Sequence, residues 1–157
     1  MKALKAKRAS PKPPLVIGWR ELVALPDLGV AEMKAKIDTG ARTSALHARD
    51  FHRFRQDDRE WIEFEPMVAG AGRLKRCKAQ LMERRMIKNT SGVPEERPVI
   101  IARLTLRSRT WPIEVSLTDR EKMEFDLIIG RTAIRGRKIV VDPGKSYLAG
   151  PPETAES

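Results

Sequence analysis

The segment Asp38-Thr39-Gly40-Ala41 constrains this chain more than any other. It follows the alternating run Met33-Lys34-Ala35-Lys36-Ile37, which has the two-residue period of a strand with one buried face. A strand that ends in Asp-Thr-Gly turns at once, because Gly admits backbone angles that a Cβ forbids. Far downstream, Leu127-Ile128-Ile129-Gly130 is a second apolar segment closed by glycine, and Arg131 follows it. The tripeptide alone fits any strand-to-turn exit. Paired with the later segment it describes a carboxylate site: Asp38 as acid or base, Thr39 to fix the loop through its hydroxyl, and Gly40 to let the loop close.

The rest of the pattern is mostly strands. Val16 to Leu25 is apolar with β-branched residues and stops at Pro26-Asp27, and Trp61 to Phe64 is a short strand. Val99 to Leu106 and Trp111 to Leu117 flank Arg107-Ser108-Arg109 as a hairpin. Phe125 to Ile129 leads into Gly130, and Lys138 to Val141 stops at Asp142-Pro143-Gly144. Only Arg131 to Arg135 reads as a short helix. Residues 74 to 88 are ambiguous: Leu74, Cys77, Leu81 and Met82 fit helical spacing, whereas Cys77, Ala79 and Leu81 fit strand alternation. Many short strands with turns between them indicate an all-β barrel or sandwich.

The chain has 157 residues, enough for one domain with a core. Residues 1 to 14, Lys- and Pro-rich, are expected to form a disordered arm, residues 15–149 the folded domain, and residues 150–157 a flexible end. No apolar run approaches the roughly 20 residues that cross a bilayer. The basic N-terminus lacks the apolar core of a signal peptide, and the lone Cys77 has no internal disulfide partner, so a cytoplasmic location is expected. The net charge is +10, and Lys2, Lys5, Lys7, Arg8 and Lys12 supply half of it. This charge either solvates a tail and a surface or attracts an acidic peptide or nucleic acid. Nucleic acid is the less supported partner, with aromatic residues at 5% and no basic-aromatic motif.

From Ile37 onward the chain resembles retropepsin-like aspartic proteases. The match is to the RimB-like bacterial family associated with RimK-type glutamate ligases, which often carries the label "ATP-dependent zinc protease". The matching segments are Asp38 to His47, Glu95-Glu96-Arg97-Pro98-Val99-Ile100, Leu117-Thr118-Asp119-Arg120, Leu127 to Arg131, and Val141-Asp142-Pro143. The resemblance implies a small closed β-barrel, with one short helix after Gly130, that acts as a homodimer. A single-chain enzyme of this kind would need two Asp-Thr-Gly motifs and roughly twice the length; this chain has one motif. Two Asp38 carboxylates meeting across a two-fold axis would share one proton, so that one serves as base and the other as acid.

The resemblance assigns catalysis to Asp38, Thr39 and Gly40, room for substrate to Ala41, and a flap to Ile87 to Val99 with Asn89, Thr90, Ser91 and Gly92 near its tip. That segment either closes over a peptide or is a plain surface hairpin. Retroviral relatives carry acidic residues just after the Asp-Thr-Gly-Ala segment; here Arg42 and Thr43 stand there. Arg42, Arg97 and Arg131 therefore either face an acidic substrate or pair with Glu95, Glu96 or Asp119. The family's association with glutamate ligases implies the substrate: an acidic, oligo-glutamate extension added by a partner ligase to a protein such as a ribosomal one. No cofactor and no metal is expected: there is no His-Glu-x-x-His, no Cys-x-x-Cys and no phosphate-binding Gly-rich loop. His47 reads as a structural hydrogen-bonding residue on a strand. The alternatives are a non-catalytic peptide-binding barrel and a metal-dependent hydrolase built on His47 and His52.

Overall fold

The computed structural model describes residues 13–72, 74–88, 91–120 and 124–153. The expected arm up to residue 12, the last four residues, and Asn89 and Thr90 of the expected flap lie outside the described residues. The strands are β1 (Leu15–Leu25), β2 (Val30–Asp38), β3 (Ser44–Gln56), β4 (Arg59–Pro66), β5 (Cys77–Lys88), β6 (Pro94–Leu106), β7 (Arg109–Thr118), β8 (Leu127–Gly130) and β9 (Ile139–Ser146). One helical turn, α1 (Arg131–Ile134), follows β8, and a 3₁₀ turn, Pro26–Leu28, joins β1 to β2. The strands form one sheet in the order β4-β5-β6-β7-β3-β8-β2-β1-β9. Further pairings of β4 with β3 and of β6 with β1 curl it into a ring, the all-β architecture expected of the sequence. Among the described residues no helix is long and apolar enough to cross a membrane.

Alternation sets the inside of the ring. Met33, Ala35 and Ile37 of β2 are buried, as are Ala102, Leu104 and Leu106 of β6 and Ile113, Val115 and Leu117 of β7. Residues 74–88, ambiguous by periodicity, resolve as strand β5 from Cys77, which pairs antiparallel with β6. The β3–β4 hairpin turns on Asp57 and Asp58, both at positive φ, the geometry of a two-residue turn between twisted strands. The expected stop at Asp142-Pro143-Gly144 is instead a break in register inside β9, where Asp142 pairs with Gly18 but Ser146 with Arg20. Pro143 is tolerated because β9 ends the sheet. The bulged chain presses on β1 so closely that a Cβ on Gly18 would lie 2.2 Å from the Lys145 carbonyl oxygen.

Two carboxylates fasten the periphery. Asp27 in the 3₁₀ turn accepts from the Arg103 main-chain N–H at 2.8 Å and from its guanidinium at 2.6 Å. These hydrogen bonds hold the Asp27 carboxyl below its ordinary range. Glu21, in the middle of β1, is fully buried. Its oxygens accept from the N–H groups of Gly18, Leu148 and Ala149 at 2.6, 2.9 and 3.0 Å, pinning the segment after β9 to β1. Replacing Glu21 by Ala leaves those buried donors without an acceptor. The expected cost is about 3 kcal/mol, seen as a fall in Tm of roughly 10 °C in a thermal melt. Glu21→Gln, which keeps the shape and one acceptor, is expected to lie between.

Candidate active site

Asp38 is the last residue of β2, and β2 runs parallel to β8 with Asp38 opposite Gly130. The two sequence segments singled out at the start are therefore adjacent strand ends. Asp38 Oδ1 accepts from the Gly40 N–H at 3.0 Å, and the Asp38 carbonyl accepts from Ala41 N–H at 3.1 Å, which closes a tight turn. The next carbonyls are taken by the start of α1. Ala41 O accepts from Arg131 N–H at 2.8 Å, and Arg42 O from Thr132 N–H and the Thr132 hydroxyl at 3.2 and 2.8 Å. The Arg131 guanidinium reaches back to Gly40 O at 3.1 Å and Thr39 O at 3.5 Å. On the other side, Gly130 N–H donates to Ser44 Oγ and the Ser116 hydroxyl donates to Ser44 O, each at 3.0 Å.

Asp38 opens into a cleft of about 400 Å³. Ala41 and Thr43 line it beside Asp38, and Ile87, Lys88 and Arg97 of the β5–β6 hairpin lie across it. Lys36, Arg120, Glu124 and Phe125 complete its charged and aromatic wall. Four cationic side chains thus face two carboxylates, Asp38 included. Arg97 is 4% exposed; its Nε donates to Glu95 at 2.8 Å, while Nη2 is buried and meets no hydrogen-bond acceptor among the described residues. A buried guanidinium N–H without a partner carries a desolvation cost that an acceptor entering the cleft would relieve.

Thr43 Oγ1 accepts from Arg85, which is also bound to Glu83 and Glu114 at 2.8 and 2.9 Å. Those carboxylates push the Arg85 pKa upward, so its charge is secure. The sequence reading did not single out Arg85, Lys36, Lys88 or Phe125. Lys36 was within reach of it, because on a strand the residue two before Asp38 shares its face. Arg42 is exposed and does not line the cleft, and its charge adds to the hydrogen bond from Arg85 that holds the Glu83 carboxyl below its usual range. The structure sets Arg131 against the loop carbonyls and Arg97 in the cleft against Glu95; neither meets Glu96 or Asp119 in these contacts. Ser91 and Gly92 lie exposed between β5 and β6.

His47 is buried, with Nδ1 3.3 Å from Asp126 and Nε2 3.5 Å from Asp119. Asp126 also accepts from Ala69 N–H at 2.7 Å, so this contact ties two loops together. His52 is exposed and stacks on Phe54. Burial raises the Cys77 thiol pKa, and its Sγ lies 3.4 Å from Leu28 O. Among the described residues no cluster of His, Cys, Asp and Glu is arranged to hold a metal ion.

A ring of strands with Asp-Thr-Gly on one strand end, laced to an apolar-Gly strand and faced by a hairpin, is the architecture of a retropepsin-like protein. The chain belongs to the RimB-like family, described as retropepsin-like aspartic endopeptidase RimB, whose model matches residues 16–152. It is 39% identical over 138 residues to a protein of Parasynechococcus marenigrum named "Probable alpha-L-glutamate ligase", covering 87% of this chain and 29% of that one. Proteins of the same name from Desulfotalea psychrophila and Shewanella pealeana are 38% and 36% identical over 137 residues, covering 86% of this chain. The chain spans about 30% of the length of these relatives. In three dimensions it is similar to a Legionella pneumophila protein of unknown function, with a TM-score of 0.73 at 24% identity, over 86% of this chain and 98% of that one.

Gly130 is where the two halves touch. A Cβ there would lie 2.7 Å from Thr43 C and 2.9 Å from Ala41 O, main-chain atoms that cannot swing aside. Gly130→Ala is expected to push the 39–43 loop off β8 and to cost roughly 2–3 kcal/mol. Hydrogen exchange should localise the loss of protection to Ala41, Arg131 and Thr132, and a wild-type exchange pattern there would contradict the packing.

Proposed function

We propose that the chain is an aspartic endopeptidase that works as a homodimer and trims acidic, oligo-glutamate extensions from a protein. The observation that carries the reading is Asp38 itself, held by Gly40 N–H at a strand end and opening into a basic cleft beneath a hairpin. One carboxylate cannot both take a proton from water and give one to the carbonyl. Two Asp38 groups across a two-fold axis share a proton, because both do not ionise cheaply at close range. The ionised one takes the proton of the attacking water as its oxygen bonds to the carbonyl carbon, and the protonated one gives its proton to the carbonyl oxygen. The C–N bond then breaks as the amine nitrogen takes the proton first removed from water, while one hydroxyl of the intermediate returns its proton to the other carboxylate, which leaves a carboxylic acid and restores the shared proton.

Other features support the same reading. Thr39 shares a shallow groove of about 480 Å³ with Ile134, Ile139, Val141 and Pro143, an apolar surface beside the catalytic loop for a second copy to cover. The unpartnered Arg97 N–H and the cations around Asp38 suit a substrate carboxylate. The relatives named as probable glutamate ligases contain a segment like most of this chain, which fits a protein that works in the cytoplasm with a ligase that lays down such tails.

The test is incubation with a glutamate-tailed polypeptide, with products read by mass. Shortened tails are expected from wild type, and a loss of at least a thousandfold in kcat from folded Asp38→Asn, whose amide takes no proton. Rate per protomer should fall on dilution as the dimer dissociates. Inhibition by a statine-type transition-state mimic is expected. Loss of activity on chelation, with turnover retained in Asp38→Asn, would instead indicate a metal hydrolase.

A further inference from the structure

A second cavity, of about 530 Å³, adjoins the cleft and shares Glu124 and Phe125 with it as a common wall. The two lie on one face of the same strands. Lys34, Lys36 and Asp38 alternate along β2 and so point the same way. Across the ladder Arg20 stands directly opposite Lys36, and Leu22 opposite Lys34. Lys36 lines the Asp38 cleft, while Arg20, Leu22 and Lys34 line the second cavity. A track of three cations therefore leads from Asp38, past Phe125, into a space that the catalytic step does not use.

The track is built rather than scattered. The Arg20 guanidinium lies 4.7 Å from the Trp19 ring centre and 5.2 Å from that of Tyr147, and its Nε donates to Ser146 Oγ at 3.0 Å. Stacking between rings fixes a planar fork suited to a carboxylate. Trp19 also packs edge-on against Phe125, at 5.9 Å between centres, which steadies the shared wall. Lys34 and Lys36 are about 6.7 Å apart along the strand, the spacing of alternate side chains in an extended peptide. The basic run is short. Glu32 follows on the same face, Glu124 stands at the wall, and the third acid of the cavity, Asp126, is engaged by His47 and Ala69.

We propose that this second cavity is a distal subsite of the peptide cleft that binds carboxylates on one side of the scissile bond through Lys36, Arg20 and Lys34. The proposal rests on the reading of the Asp38 cleft as a peptide site. The reach of the track sets a length preference: about four consecutive acidic residues fill it, and further ones meet Glu32 and gain nothing.

Fluorescently labelled peptides of two, four and eight glutamates, titrated by anisotropy into Asp38→Asn protein, test this without turnover. The expected result is about tenfold tighter binding of the tetramer than of the dimer peptide, with a plateau at eight. Lys34→Glu, an exposed substitution, should weaken the tetramer about tenfold and the dimer peptide much less, and Arg20→Met should act in the same direction. Arg107→Glu, the same charge change on the distant β6–β7 turn, is the control. Equal losses from Lys34→Glu and Arg107→Glu, equal losses on short and long peptides, or no binding of any peptide would overturn the subsite. Length-dependent binding through Lys34 in a wild-type protein that cleaves nothing would keep the subsite and overturn the peptidase reading. Cleavage by wild type without the Lys34 effect would do the reverse.

Discussion

The parallel pairing of β2 with β8 is the interaction on which the site depends. It brings Asp38 level with Gly130 although 91 residues separate them from Asp38 to the intervening chain's end at Ile129. Parallel neighbours cannot be joined by a tight turn, so the chain makes a long excursion through β3 to β7 before β8 returns to β2. Once there, the absence of a side chain at Gly130 lets the 39–43 loop lie on it. Arg131 and Thr132 then accept the loop into their donors: every carbonyl from Thr39 to Arg42 receives an N–H or hydroxyl from one of those two residues. The loop has little freedom left, and the direction of the Asp38 carboxylate follows from the Gly40 N–H bond rather than from solvent.

Two buried charges show how structure and function divide the same chemistry. Glu21 is fully satisfied by main-chain donors and serves only to tie the chain end to β1. Arg97 is nearly as buried but is left with an N–H that meets no acceptor among the described residues. A protein interior seldom leaves such a group unpaired, because its lost hydration is not repaid. Arg97 Nη2 lies on the wall of the Asp38 cleft, within reach of an acceptor that enters it, and the buried Nε2 of His47, away from that cleft, likewise has no hydrogen bond among the described residues.

The sequence was most legible where one face of a strand is buried. The alternation of Met33 to Ile37, the hairpin around Arg107-Ser108 and the turn of helix after Gly130 all appear in the structure. It was least legible in β3, whose outer half, from Asp50 to Gln56, is largely exposed and charged, so that no hydrophobic period marks it. That half is held by its pairing with β4, which depends on the left-handed Asp57-Asp58 turn rather than on core burial. Strand β5 was ambiguous for a related reason: exposed Met82 and Met86 blur the alternation, and pairing with β6 decides it. In the site, Asp38 and Gly130 were visible as motifs. Arg20 and Lys34 were not, because their relation to Asp38 exists only through the register of β1 on β2.

The β1–β9 end of the sheet carries a constraint of its own. β9 is the last strand of the sheet, so one edge of it has no partner among the described residues. Val16 and Val140, paired in register there, are 45% and 48% exposed. An exposed apolar edge is a liability that folded chains commonly bulge, charge or cover. The bulge at Pro143 to Lys145 blunts one stretch of β9, but the segment from Ile139 to Val141 stays regular and apolar. That regular segment is the part that shares a groove with Thr39. A second copy seated on that groove, as proposed, would cover Ile139 and Val141 and set two Asp38 loops side by side, because a two-fold axis brings each feature to its own image. Val16 and Val140, one residue out of phase, face the other side of the sheet and would keep their exposure.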